Sequence, residues 1–277
     1  NVHNYRITAS EFDNIYNMIR VLDLDKKKRI KGISSERADI LPSALAAISA
    51  FVKYVGFEEI AISGCGLREG IMFNYAVPAT IEKPITDVLG YSLQTLVKFY
   101  GCNAPHVDHV VNLSVQLFKQ LRVLHKFPRQ YLKILKVVAT LHDAGAAIKY
   151  YDYEKHTAYI IQNANIYGLT AREMILASLV AAAHKNDELQ MSDIVRYKEF
   201  IGEEDVDAIR KLGIMLRIAE SLDRSMSGCV LGLNCDVLGD SVIMKTEVDG
   251  DASLEIKDAL NAANDFRRIF RKNLEIL

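Results

Sequence analysis

Tryptophan is missing from the 277 residues, which by itself excludes nothing, and so is any excess of charge. Against 34 Lys and Arg stand 35 Asp and Glu, a net charge of -1 with histidine neutral. Such a balance gives no global field that would advertise specific nucleic-acid or membrane binding, although a local basic groove is compatible with it. Long apolar runs are lacking as well: none approaches the roughly 20 residues that span a bilayer. The opening stretch NVHNYRITASEF does not read as a signal peptide. Cysteine is sparse, and Cys65, Cys102, Cys229 and Cys235 show no CxxC spacing. They read as reduced thiols of a cytoplasmic protein. Internal repeats and low-complexity segments are also absent.

What remains is ordinary soluble globular material, 50% hydrophobic and 25% charged, long enough for two or three domains with real cores. In SEFDNIYNMIRVL, Phe12, Ile15, Ile19 and Leu22 recur at helical spacing behind Ser10, the expected N-cap. The basic run Lys26–Arg29 reads as a solvated turn. ADILPSALAAISAFVKYVGF reads as an Ala-rich helix closed by Gly56, EEIAISGCG as a short strand, and LREGIMFNY as a further helix. One strand makes no sheet, so its partners are expected elsewhere. From about Asp87 the periodicity is almost purely helical, with helices expected near 87–100, 105–126, 129–144, 154–166, 171–185 and 204–224. Thr170 and Glu173 form a capping box for the fifth. Past Ser227, CVLGLNCDVLGDSVIMKTEV alternates as strands about a Gly-Asp turn, and DALNAANDFRRIFRKNL reads as one amphipathic helix.

Within the helical block, five segments each bring a potential ligand to the edge of an apolar stripe. His109 borders Val107, Val110, Val111, Leu117, Phe118 and Leu121; Leu135, Val138 and Ala139 lead to His142, which Asp143 follows. His156 shares a face with Tyr159, Ile160 and Asn163. His184 follows Ala177, Val180 and Ala181, and Asp223 follows Leu212, Leu216 and Ala219. Taken singly, each histidine has a plain reading as a satisfied core or helix-end residue. Buried carboxylates, however, require cations or donors, and imidazoles with carboxylates suit one or two divalent transition ions.

The order His, His-Asp, His, His, Asp resembles the HD superfamily of metal-dependent phosphohydrolases. That resemblance implies one metal held by His109, His142, Asp143 and Asp223, and a second completed by His156 and His184. The ion would be Mn, Mg, Fe or Zn. The sequence departs from many members where a lysine should follow the dyad closely; here the run is HDAGAAIK, with Lys149 or Lys185 as substitutes for that phosphate contact.

KGISSERADILPSALAAI and ISGCGLREGIMFNY are similar to two hallmark stretches of the exopolyphosphatase / guanosine pentaphosphate phosphohydrolase family. The blocks from LHDAGAAIKYYDYEKHTAY to AAAHK and RIAESLDRS resemble that family's helical third domain, and the β-β-helix tail its small last domain. The implied fold is mostly α. It comprises a C-terminal piece of an actin-like (RNase H-like) α/β domain over 1–85, an all-helical HD-type domain over 86–226, and a small α+β domain over 227–277. The resemblance places the phosphate-cleaving cleft upstream of this chain, making the chain a C-terminal portion. It implies polyphosphate or guanosine pentaphosphate as substrate, a homodimer, and a channel whose phosphate contacts would be Lys149, Lys155, Lys185 and Arg224. The alternative is that the HD-type domain is itself a metal-dependent nucleotide or phosphoester hydrolase. Arg37, Asp39, Arg68 and Glu69 have a functional reading on the rear wall of the cleft. For Arg68 and Glu69 there is also a structural one, as capping residues after SGCG.

Overall fold

A computed structural model describes residues 5–76, 86–185 and 191–277. They fall into two compact units, divided after Ala76. The expected boundary at 85–86 therefore falls at the edge of residues 77–85, outside the described part.

The first unit opens with β1 (Tyr5–Thr8) and α1 (Ala9–Arg20), then α2 (Leu24–Arg29), α3 (Leu41–Val55), β2 (Glu59–Ile62) and α4 (Leu67–Ala76). The strand expected to stand alone has a partner: β1 pairs with β2 antiparallel, Tyr5 opposite Ile62 and Thr8 opposite Glu59. A four-residue strand shows no periodicity above the noise, so β1 was illegible. Thr8, not Ser10, caps α1. Its hydroxyl accepts from the Glu11 N–H at 3.2 Å, and the Glu11 carboxylate takes the Thr8 N–H at 2.7 Å. The carboxylate that would have completed a box for Ser10, Asp13, is committed to Ser49 at 2.7 Å and Lys53 at 2.8 Å on α3. The basic run is a solvated helix rather than a turn, because Asp23 caps it by accepting from Lys26 N–H at 2.8 Å. Gly56 ends α3 at φ +78, in the left-handed region. Glu69 takes the Gly66 N–H at 2.7 Å, the capping role that the structural reading assigned it.

The second unit is built from α5 (Val88–Phe99), α6 (Ala104–Gln120), α7 (Arg122–His125) and α8 (Gln130–Leu141). A 3-10 turn over Ala144–Ala147 follows, then α9 (Tyr153–Asn163), α10 (Ala171–Ala183), α11 (Met191–Arg196) and α12 (Glu203–Ser221). The helix expected over 105–126 breaks at Leu121, and α8 stops at Leu141, so the His-Asp dyad lies just beyond its end. α12 packs against α6, α8 and α10, and against the later helices Ser253–Leu260 and Ala263–Phe270. Leu212, Met215, Leu216 and Ala219 on it are inaccessible or nearly so. Thr170 and Glu173 form the expected capping box on α10. Among the described residues no helix is long and apolar enough to cross a membrane.

The chain finishes with β3 (Val230–Leu238), β4 (Ser241–Val248), α13 (Ser253–Leu260), α14 (Ala263–Phe270) and β5 (Asn273–Ile276). β3 and β4 form a hairpin across Gly239-Asp240, and β5 returns parallel to β4. The tail expected as one helix is thus two short helices and a strand. The small sheet lies in the same compact unit as the helices, with Gln116 accepting the Leu233 N–H at 2.9 Å and Gln120 donating to Asn234 at 2.9 Å.

One polar knot ties the helices. Asp205 is 1% exposed and reaches back to the Gly202 N–H at 2.9 Å, capping α12. It also accepts from Tyr131 at 2.8 Å and Arg172 at 2.6 Å. Asp205→Ala strands a buried hydroxyl and a helix-end N–H and leaves the guanidinium without its partner. The expected loss is about 2–4 kcal/mol, read from the urea midpoint at constant m-value.

Candidate metal centre

The site forms where α6 begins, α8 ends and α12 ends. Asn103 caps α6, with Pro105 in its first turn, so His106 occupies that turn and heads the buried line Val110, Leu113, Leu117. It is 3% exposed. Its Nδ1 lies 2.7 Å from Asp223 Oδ2, so Nδ1 carries the proton and Nε2 keeps its lone pair. His142, at the C-cap of α8 and wholly buried, donates from Nδ1 to the carbonyl of Ala139 at 2.8 Å, which again leaves Nε2 a lone pair. The two Nε2 atoms stand 3.2 Å apart. Asp143 Oδ2 lies 3.5 Å from His106 Nε2 and 3.4 Å from His142 Nε2. Three lone-pair atoms converging without a proton among the two imidazole nitrogens make a natural seat for a cation, and among the described residues this is the group spaced to hold one.

Behind the ligand atoms the backbone is locked. The Thr157 hydroxyl donates to the His142 carbonyl at 2.8 Å and accepts the Gly145 N–H at 3.0 Å, pinning the turn that carries Asp143 to α9. Asp223 is 1% exposed, and its second oxygen takes the Gly228 N–H at 2.8 Å. It orients His106 instead of facing the other donors, an arrangement common behind metal-bound histidine.

His109, the expected ligand on α6, lies outside the group. Its Nε2 is enclosed with no hydrogen-bond partner, and it is His106 that shares the point with His142 and Asp143. His156 on α9 is half-buried and does not line the cavity described below. His184 is buried at the end of α10 and repeats the His142 device, donating from Nδ1 to the carbonyl of Ala181 at 2.6 Å. Its Nε2 faces Glu220 Oε2 at 3.3 Å.

Glu220, which the sequence reading did not single out, is 5% exposed and accepts from Tyr153 at 2.6 Å and from Lys185. Burial pushes its carboxyl up, but His184, Lys185 and His142 outweigh that and hold it well below the ordinary value. Burial, then the charges of Glu220 and Asp143, drive the Tyr153 phenol far upward, so it stays a neutral donor. The Cys102 thiol is pushed up by burial and by Asp143, which makes it a poor thiolate ligand.

A cavity of about 560 Å³ opens on this group, lined by His106, Asp143, Glu220, Asp223, Arg224 and Tyr150 among others. Of the four cations expected at phosphate, Arg224 is on its wall. Lys149 is exposed, Lys155 is 3.0 Å from Asp152, and Lys185 is committed to Glu220.

Fold and site together define a mostly α-helical protein with a His/His/Asp group facing an open cavity. Residues 90–266 match the profile of Ppx/GppA phosphatase, domain III, and residues 1–77 that of the Ppx/GppA phosphatase family. The chain belongs to the Ppx/GppA phosphatase family. It is similar to the guanosine-5'-triphosphate,3'-diphosphate pyrophosphatase of Aeromonas hydrophila subsp. hydrophila, 27% identical over 190 residues, which are 68% of this chain and 37% of that protein. The protein of the same name from Vibrio campbellii is 20% identical over 225 residues, 81% of this chain and 44% of that protein. The chain thus spans less than half the length of these curated relatives.

Proposed function

We propose that this chain is part of a phosphohydrolase acting on guanosine pentaphosphate or polyphosphate, working as a homodimer in the cytoplasm, and that its helical unit holds a divalent metal. The names of the similar proteins support the substrate class. The observation that carries the metal is the convergence of His106 Nε2, His142 Nε2 and Asp143 Oδ2 on one point. Two imidazoles and a carboxylate favour Mn, Fe or Zn over Mg. When bound, such an ion polarises a phosphoryl oxygen and acidifies a coordinated water. The chain itself does the positioning. Asp223 and the Ala139 carbonyl fix the imidazole tautomers, Thr157 fixes the dyad's backbone, and Arg224 offers a guanidinium to phosphate oxygens in the cavity.

A second reading has a specific observation in its favour. Because Asp143 and Arg224 line the same cavity, the helical unit is itself a candidate hydrolase of a nucleotide or small phosphoester. Slow hydrolysis of small esters with manganese, lost in Asp143→Ala, selects the second; metal binding without such activity selects the accessory role.

Elemental analysis after dialysis against limiting manganese tests the centre. His106→Ala and Asp143→Ala are expected to lose the ion and His109→Ala to keep it, with helical content unchanged. Asp223→Asn is expected to weaken metal affinity by about 10–100-fold. Loss of metal in His109→Ala with retention in His106→Ala would reverse the ligand assignment.

A further inference from the structure

Glu220 and His184 form a second cation position beside the first. Both side chains are more than nine-tenths buried, and His184 Nε2 and Glu220 Oε2 face each other at 3.3 Å with neither atom in a hydrogen bond. Nδ1 of His184 donates to the Ala181 carbonyl, which fixes the ring so that its Nε2 faces the carboxylate. A buried carboxylate held against an imidazole needs positive charge between or beside the two. The position adjoins the His106/His142/Asp143 group. Glu220 and Asp143 line one cavity.

The positive charge comes from the chain. The Lys185 ammonium pairs with Glu220 Oε1, beside the Tyr153 hydroxyl on the same oxygen, and lies 5.1 Å from the centre of the Tyr153 ring. Carboxylate and ammonium cancel. A divalent ion entering between His184 and Glu220 would meet a positive charge already on the other carboxylate oxygen, and like charges repel.

We propose that Lys185 fills the second cation position of this centre, so that the protein binds one divalent ion per chain and not two. The proposal rests on the metal assignment to His106, His142 and Asp143. It makes Lys185 a residue that sets metal stoichiometry, in place of the phosphate contact its sequence position implied. Removing the ammonium while keeping the apolar stem opens the second position, because Glu220 and His184 then offer a carboxylate and an imidazole with no internal counter-ion.

The test is metal counting with manganese as the probe. Wild-type chain is expected to bind one Mn²⁺ and give the electron paramagnetic resonance spectrum of an isolated ion. Lys185→Met is expected to bind two and show spin coupling between them, whereas Lys185→Arg stays at one. Two coupled ions in wild type would overturn this proposal while leaving the metal centre standing. A folded Lys185→Met that still binds one would also overturn it, since the vacated position then takes no cation. No bound ion in wild type would remove the centre itself and this proposal with it. Should Lys185→Met fail to fold, the wild-type spectrum alone decides.

Discussion

Gly145→Ala is expected to disable the centre without touching a ligand. A Cβ on Gly145 would stand 2.1 Å from the carbonyl oxygen of Tyr153, 2.5 Å from the Thr157 nitrogen and 2.8 Å from its hydroxyl. Two of these are backbone atoms of α9, which cannot swing aside as the end of a long side chain would. Either α9 moves or the 3-10 turn does, and both lose the hydrogen bonds through which Thr157 holds Gly145 N–H and the His142 carbonyl. Overpacking of well-packed interiors costs about 1–3 kcal/mol, and a clash with backbone belongs at or above the top of that range. Urea unfolding is expected to show that loss. In folded molecules manganese affinity should fall as well, because the displaced turn carries Asp143. An alanine variant with wild-type stability and metal content would mean that the turn is not held by α9.

The same turn shows how far the sequence could be read. Leu135, Val138 and Ala139 point along one face to His142, and the dyad's place at the inner end of a buried helix followed from that spacing alone. On α6 the sequence pointed to His109 and passed over His106, since both lie near the helix's apolar face. The deciding signal is Asn103. A side-chain cap there starts the helix at Ala104 and puts His106 at the head of Val110, Leu113 and Leu117, at successive steps of four, three and four residues. Asp223 was legible as a carboxylate that must have a partner, but not as the partner of His106, because a contact across 117 positions leaves no trace in local periodicity. Glu220 was missed for a related reason. In EDVDAIRKLGIMLRIAESLDR it is one acidic residue among several, and only the arrival of α9 and α10 gives it Tyr153, His184 and Lys185.

The fold shows a similar division. Long amphipathic helices such as α6, α8, α10 and α12 announce themselves by period, and the Thr170–Glu173 box fixed the start of α10. Strands β1 and β5, of four residues each, carry no such signal; they exist because β2 and β4 offer edges to pair with. The helix expected across 105–126 broke at Leu121, where α6 ends and α7 begins. There His125 folds back between Phe118 and Phe127, donating to the Phe118 carbonyl at 2.7 Å and accepting the Phe127 N–H at 2.9 Å. His125 is the satisfied core histidine that the plain reading of a lone histidine expects, and its contrast with His106 and His142, whose Nε2 atoms face each other, is what separates packing from chemistry in this chain.

Glu220→Ala is expected to be the most destabilising single change at the site. It removes one carboxylate and leaves three side chains without it: the Lys185 ammonium, the Tyr153 hydroxyl and the His184 imidazole. Breaking one partner out of a buried ionic group costs about 3–5 kcal/mol, because the remaining charge is left without compensation. The pH dependence gives a second, independent readout. Burial raises the Glu220 carboxyl, yet His184, Lys185 and His142 together hold it well below the 4.5 of an unfolded glutamate. The native state therefore binds fewer protons than the unfolded chain between these two values, and its stability rises with pH there. The contribution is complete above the unfolded value and disappears as pH falls through the native one. Acid unfolding of the metal-free chain, followed by circular dichroism, should begin at higher pH in Glu220→Ala, since the variant starts from lower stability. Its stability should also depend less steeply on pH below about 4.5, because the group that linked it to protons is gone. A variant as stable as wild type at neutral pH, with an unchanged acid limb, would show that the Lys185 charge finds solvent as readily as it finds Glu220.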